Sequence, residues 1–452
     1  MASLYYALGV AIFAIAILAS IALHELGHMI PAKKFGGKVT QYFIGFGPTV
    51  WSKQVGETEY GLKAFPLGGY VKIIGMLPPG AEQLVEDVEV DAEGNQVFRV
   101  RKSNTGMFTQ LISDARAAEW ELVGPEDADR LFYKLPWWKK AIVMAGGPTV
   151  NLVIAFLLFW GVFATVGNAR DGVSEPVVHV VSGCIVPASE DSRACTDEEV
   201  LENPSPAHAA GIKPGDRFVS FNGEEITSWE QVQSFIRDNG ARTAQLGVLR
   251  DGKLLDLAVT TQVTPRPLDP EHPGTLEPVG FLGVVPEIHA REGGPLYTLG
   301  QMGGMVGETA QAIATLPVKV WHVGLAVVGL EERDPNGPVS IVGGGRIAGE
   351  VASQPDPLQD KLVSLLMLIA GFNFFIGMFN FVPLLPLDGG HIAGALWEGV
   401  RRGWARVRRL PDPGHVDVAR LLPVAYVMAG AFLVMGVVLI VADIVIPVRL
   451  YG

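Results

Sequence analysis

His24, Glu25 and His28 stand in the order His-Glu-x-x-His at the end of an uncharged apolar run, Leu4 to Leu23. On a helix, residues i and i+4 share one face, so the two imidazoles can converge on a single ion, and zinc suits such a pair. Glu25 then stands beside the water that the ion activates, which is the place of a general base. Ionisable side chains at the end of an uncharged membrane helix cost about 2.5 to 3.5 kcal/mol each near the bilayer centre, so they call for a compensating role; snorkelling to the headgroups is the alternative. A catalytic zinc takes three protein ligands and keeps one position open. The candidate for the third is Asp388, in NFVPLLPLDGG from Asn380 to Gly390. There Pro383 and Pro386 break a helix, and Gly389 and Gly390 permit a turn that aims the carboxylate back into a bundle. The competing reading is a solvated Asp at an ordinary helix exit. His391 reads as structural or as support for a ligand.

Four apolar runs must position these residues: Leu4 to Leu23, Ala141 to Val166, Leu362 to Val382 and Leu421 to Val445. Each is long enough to cross about 30 Å of hydrocarbon. Lys33 and Lys34 follow the first run, Trp137, Trp138, Lys139 and Lys140 precede the second, and RRGWARVRR at 401–409 lies between the last two. Basic residues favour the cytoplasmic side, which puts the N-terminus outside and Gly167 to about Asp360 extracytoplasmic. No Lys or Arg precedes the first run, so it does not read as a cleaved signal peptide. Leu316 to Leu330 is interrupted by Lys319 and His322 and reads as an interfacial amphipathic helix rather than a fifth crossing.

The composition agrees: of 452 residues, 49% are hydrophobic and 18% charged, and the mean hydropathy is +0.30. A net charge of −12 argues against nucleic acid as a partner. Two cysteines, Cys184 and Cys195, are too few for a disulfide framework; their extracytoplasmic place permits one bridge, with free thiols as the alternative. Val39 to Met76 has strand-like patterning with Gly56, Gly68 and Gly69 as turn points. An edge strand there could hold an unwound peptide by its main chain, or the hairpin could merely pack on the bundle. Ala81 to Lys134 reads as a charged linker with short helices, Glu126 to Tyr133 being a candidate amphipathic helix leading to the tryptophan pair.

With His24-Glu25-x-x-His28, Gly147-Pro-Thr-Val-Asn151 and the Asn380 to Gly390 segment in this order, the chain resembles the site-2 protease family of intramembrane zinc metalloproteases, most of all its bacterial RseP-like type. The resemblance implies zinc held by His24, His28 and Asp388, Glu25 as general base, and Asn380 and Asn151 as substrate-positioning residues; for Asn151 a packing contact between spans serves equally. It implies single-span membrane proteins as substrates, such as anti-sigma factors or signal-peptide remnants, within the lipid bilayer of a bacterial plasma membrane.

Pro204 to Ile226 resembles the core of a PDZ domain, with Trp229 to Arg237 as its helix, a hairpin of Ala244 to Leu249 and Leu254 to Val259 turning at Asp251-Gly252, and Pro278 to Pro286 as a closing strand. A single copy is found, as in actinobacterial relatives. The expected fold is an α-helical polytopic membrane protein of four transmembrane helices, with a membrane-associated β-hairpin and an extracytoplasmic α+β PDZ domain. Its divisions are 1–36, 37–80, 81–136, 137–168, 169–290, 291–360, 361–398, 399–420 and 421–452. The rival reading is a non-catalytic PDZ-bearing receptor or scaffold, which has no reason to keep His24, Glu25, His28 and Asp388 together.

Overall fold

The computed structural model describes residues 2–78, 88–90, 96–98, 107–120, 123–186, 195–267 and 276–448. The chain divides into two units, one of residues up to Gly161 with Pro295–Val448, the other of Val162–Gly294.

The first unit opens with α1 (Ala2–Lys34), 33 residues ending on Lys33 and Lys34. These cations complement the negative end of the helix dipole. Pro31 lies inside α1 and offers no N–H to the Gly27 carbonyl. β1 (Val39–Val55) and β2 (Thr58–Ile73) follow. Both bend, so that residues 39–44 pair with 69–73 on one side and with 59–62 on the other, while 49–55 pair with 58–63. Two strands thus make a sheet four passes wide, anchored to α1 by Tyr42 Oη donating to the Ala22 carbonyl at 2.8 Å.

The short pair β3 (Val88–Val90) and β4 (Gln96–Phe98) precedes α2 (Met107–Trp120). Much of the expected 81–134 linker lies outside the described residues. The amphipathic helix expected over Glu126 to Tyr133 is not formed; two 3₁₀ turns, Pro125–Asp127 and Phe132–Lys134, replace it. The Phe132 and Tyr133 N–H groups donate instead to the carbonyls of Ile74 and Gly75, at 3.0 and 2.9 Å, so the donors a helix needs are committed to the end of the sheet. α3 (Trp137–Thr165) then packs on α1 where Gly27 meets Gly146: a Cβ on Gly27 would lie 2.5 Å from the Gly146 carbonyl oxygen.

The second unit is an α+β fold built on β5 (Asn168–Val181), α4 (Asp197–Glu202), α5 (Pro206–Ala209), β6 (Arg217–Phe221), β7 (Glu224–Glu225), α6 (Trp229–Asn239), β8 (Thr243–Arg250), β9 (Lys253–Thr260), β10 (Gln262–Pro267), β11 (Leu276–Phe281) and β12 (Val284–Arg291). Its main sheet runs β12-β5-β6-β8-β9, with β7 on β6 and β10 paired with β11. The turns Asn222-Gly223 and Asp251-Gly252 each hold two residues at positive φ, which is why Asn-Gly and Asp-Gly occupy them. Phe218, Phe221, Val232, Ile236, Leu246 and Val248 form the core. Cys184 and Cys195 are bridged.

Asp216 is fully buried in this unit, held by both nitrogens of a fork from Arg250 at 2.7 Å and by the Lys213 N–H at 2.8 Å. Burial alone would raise its pKa; the Arg250 guanidinium and the Lys213 N–H outweigh that and hold the carboxyl below the usual carboxylate range. A depressed folded pKa means stability that is present above the unfolded value, about 3.9, and lost as the pH falls through the folded one. Asp216→Asn should therefore destabilise this unit by about 2 kcal/mol at pH 7. That is less than the 3 to 5 typical of a fully buried pair, because the Arg250 side chain is 23% exposed. Amide exchange of β6 and β8 in the full chain measures it, and the difference from the parent should shrink below about pH 4; a difference constant from pH 7 to 3 would contradict this.

The first unit resumes with α7 (Pro295–Val327), α8 (Ile341–Ser353), α9 (Leu358–Asn380), α10 (Asp388–Arg408) and α11 (Leu422–Val445). Five stretches among the described residues are long and apolar enough to cross a membrane: Ser3–Lys34, Trp137–Thr165, Pro295–Val327, Leu358–Asn380 and Val418–Val445. The sequence led to an expectation of four and of a short helix from Leu316. α7 begins far earlier because Gly300, Gly303, Gly304 and Gly307, poor helix formers, hide the periodicity of its first half. α8 was expected as linker. It packs on the first half of α1, where Gly344 meets Phe13 and Gly349 meets Tyr6.

Candidate active site

α1 carries His24 and His28 on one face, one turn apart. α9 ends at Asn380, and the chain turns through Pro383 and Pro386 so that Asp388 becomes the first residue of α10. Gly389 and Gly390 serve close packing in that first turn: a Cβ on Gly389 would lie 2.5 Å from the Phe381 carbonyl oxygen, and one on Gly390 2.6 Å from the Leu385 nitrogen. They were expected to supply a free turn, but neither has a positive φ.

The result is a convergence of distant residues. His24 Nε2 and His28 Nε2 each lie 3.3 Å from Asp388 Oδ2, and 3.2 Å from each other. Zinc bonds imidazole nitrogen and carboxylate oxygen at about 2.0 to 2.2 Å, so the edges of a tetrahedral site are about 3.3 to 3.5 Å. The donor set fits zinc in chemistry and in spacing. His28 Nδ1 is 2.9 Å from the Val143 carbonyl oxygen; an N–H there leaves Nε2 as the free lone pair. Among the described residues, these three form the only group of His, Cys, Asp or Glu with metal-ligand spacing.

Glu25 stands outside that group. Gly69 of β2 packs closely on it, since a Cβ at Gly69 would lie 2.9 Å from Glu25 Cγ. Asn151, one turn beyond Gly147 on α3, is buried with its Oδ1 unpartnered. A buried oxygen without a donor costs about 1 to 3 kcal/mol. Asn380 instead donates to the Ile376 carbonyl of its own helix at 3.2 Å. His391 lies in the first turn of α10, outside the donor group.

Two packing roles are not visible in the sequence. Gly147 lies directly under the imidazoles: a Cβ there would come 2.7 Å from His24 Nε2 and closer still to His28 Nε2. Lys140 of α3 and Glu398 of α10, both buried, pair at 2.7 Å and tie the two helices together. The unusual burial of both charges could not be foreseen from either local sequence.

A profile described as Peptidase family M50 matches residues 12–410. The chain belongs to peptidase family M50. This M50 chain is 32% identical to the zinc metalloprotease Rip1 of Mycobacterium tuberculosis over 455 residues, covering 98% of each chain. It is 31% identical to the Rip1 of Mycolicibacterium smegmatis, covering 99% of each. It is 25% identical to the metalloprotease MmpA of Caulobacter vibrioides, covering 84% of each. The M50 match spans His24, Glu25, His28, Asn151, Asn380 and Asp388 together.

Proposed function

We propose that this M50 peptidase is a zinc-dependent endopeptidase that cuts single-span membrane proteins within the bilayer, with His24 Nε2, His28 Nε2 and Asp388 as ligands and Glu25 as general base. The observation that carries the reading is the tetrahedral-edge spacing of three donors drawn from α1 and from the break between α9 and α10. Depth supports it. At 1.5 Å per residue, His24 lies about 14 Å along α1 from Lys33, and Gly147 about 15 Å along α3 from Trp137, so both helices put the site well inside a boundary marked by basic and aromatic residues.

Zinc supplies Lewis acidity there, making water a stronger acid and a peptide carbonyl more electrophilic. Glu25 takes the proton of the attacking water on its carboxylate and returns it to the leaving amine nitrogen. The Asn151 amide lies one turn beyond Gly147 and has an oxygen free for a substrate N–H. Among the described residues, no other strand pairs with the outer edge of 69–73. An extended substrate added along it would bring its carbonyl groups past Glu25. Asn380 is assigned to substrate positioning through the turn that follows it.

In this reading the N-terminus and the second unit are extracytoplasmic, the second unit is a single PDZ domain that inspects substrates, and α7 lies on the membrane surface. Support for the last point is that Gly324 packs beside Val438, and the segment after α7 is tied to the far end of α11 by Arg333 and the Ser340 N–H on Asp443. Two residues before α7, the Gly293 N–H bonds the Phe163 carbonyl near the last turn of α3. Both ends of α7 thus fall toward the side away from Lys33.

The purified full chain in lipid, given a single-span substrate whose helix carries unwinding residues, should cut it inside the span. A chelator should stop cleavage and zinc should restore it. Cleavage indifferent to chelation, or confined to residues outside the span, would contradict the proposal.

A further inference from the structure

The geometry points to a docking surface for anionic lipid on α10, the helix that begins with Asp388. Its residues sort onto distinct faces. Ala395, Glu398 and Ala405 are buried, while Gly394 faces Val418 and Gly399 faces the Trp137 ring. On the other side Leu396, Trp397, Val400, Trp404 and Val407 are between 48% and 80% exposed. At 100° per residue they fall into one stripe about 100° wide. None of these five belongs to a core cluster of the described residues.

Arginines edge the stripe. Arg401 and Arg402 are engaged within the fold, by the Pro413 carbonyl and by Glu398. Arg406, Arg408 and Arg409 are exposed, and no ion pair holds them among the described residues. The Arg408 guanidinium instead lies 4.7 Å over the Trp404 ring, a stacking that keeps its charge beside the apolar stripe. Arg409 closes the helix in the left-handed conformation, φ 54°. The stripe carries no carboxylate.

Position decides the occupant. Asp388 lies at the metal site beside Gly147, whereas Glu398 pairs with Lys140 and Gly399 packs on Trp137. α10 therefore runs from the site toward the end of the bundle where α3 presents Trp137, Trp138 and Lys139. Tryptophan with arginine or lysine at one level is the composition of a headgroup belt, and an apolar stripe flanked by arginines is that of a helix lying against an anionic leaflet. Leu396, Trp397 and Val400 then meet acyl chains. Trp404, Arg406, Arg408 and Arg409 meet phosphate. The bilayer becomes one wall of the element that holds Asp388.

The only two cysteines form one disulfide, so a single introduced cysteine can carry an environment-sensitive dye. Val400→Cys, Val407→Cys and, as the water-exposed control, Glu224→Cys are labelled in the full chain in nanodiscs of phosphatidylcholine and phosphatidylglycerol. Aqueous iodide should quench the dye at positions 400 and 407 at least about fivefold less than at 224, and brominated acyl chains should quench it strongly. At 407, brominated phosphatidylglycerol should quench at least about twofold more than brominated phosphatidylcholine at equal mole fraction. That preference should vanish in Arg406→Gln, Arg408→Gln, Arg409→Gln combined and persist when the same three become Lys. Iodide quenching at 400 and 407 equal to that at 224, or no headgroup preference with the arginines intact, would overturn the assignment.

Discussion

Glu25→Gln should lower cleavage of a transmembrane substrate by about 10²- to 10⁴-fold, the contribution expected of one positioned proton-transfer group, while the protein keeps its full zinc content. The substitution preserves size and removes only the ability to take a proton. Glu25 lies outside the group of metal-ligand spacing formed by His24, His28 and Asp388, so metal binding should survive. Its side-chain stem lies close to Gly69 of β2, and the isosteric amide keeps that packing. Turnover and zinc stoichiometry measured on one preparation separate the roles: retained metal with parental turnover would remove Glu25 from the mechanism, and lost metal would make it a ligand.

Gly147→Ala should be nearly as damaging although it adds one methyl group and touches no chemistry. The new Cβ would overlap both imidazoles, so either α3 withdraws from α1 or the two rings turn away from Asp388. Withdrawal is opposed by the Gly27–Gly146 backbone contact one residue away, where close approach depends on small residues. Displacement of reacting groups by about 1 Å costs on the order of 100-fold in rate, and disturbing how ligands are oriented costs about 10- to 100-fold in metal affinity. Zinc titration and turnover should both fall. Gly371→Ala on α9, where a Cβ meets nothing within 4 Å, should leave both unchanged; equal effects of the two substitutions would show that contact with the imidazoles is not the cause.

The donors themselves were legible because their signal is local. A two-histidine pattern at helical spacing and a carboxylate after a double-proline break are visible in a dozen residues each, and the structure brings the three groups together. What could not be read was set by distant approach. Gly147 opens a signature and Gly69 reads as a turn point, but the packing role of each shows only when another element rests on it, and Lys140 with Glu398 are 258 residues apart. α7 was hidden by its glycines. The 3₁₀ turns at 125–134 replaced a helix because Ile74 and Gly75, far back in the chain, claim the donors. The Asn222-Gly223 and Asp251-Gly252 turns were legible for the opposite reason, since positive φ is a demand made by the residue itself.

A zinc-edge anomalous map of the full chain would locate the metal and its ligands. One peak should lie about 2.0 to 2.2 Å from His24 Nε2, His28 Nε2 and an Asp388 carboxylate oxygen, with Glu25 outside bonding distance. A peak held by the two histidines with Glu25 in place of Asp388, or a zinc bound elsewhere in the chain, would contradict it.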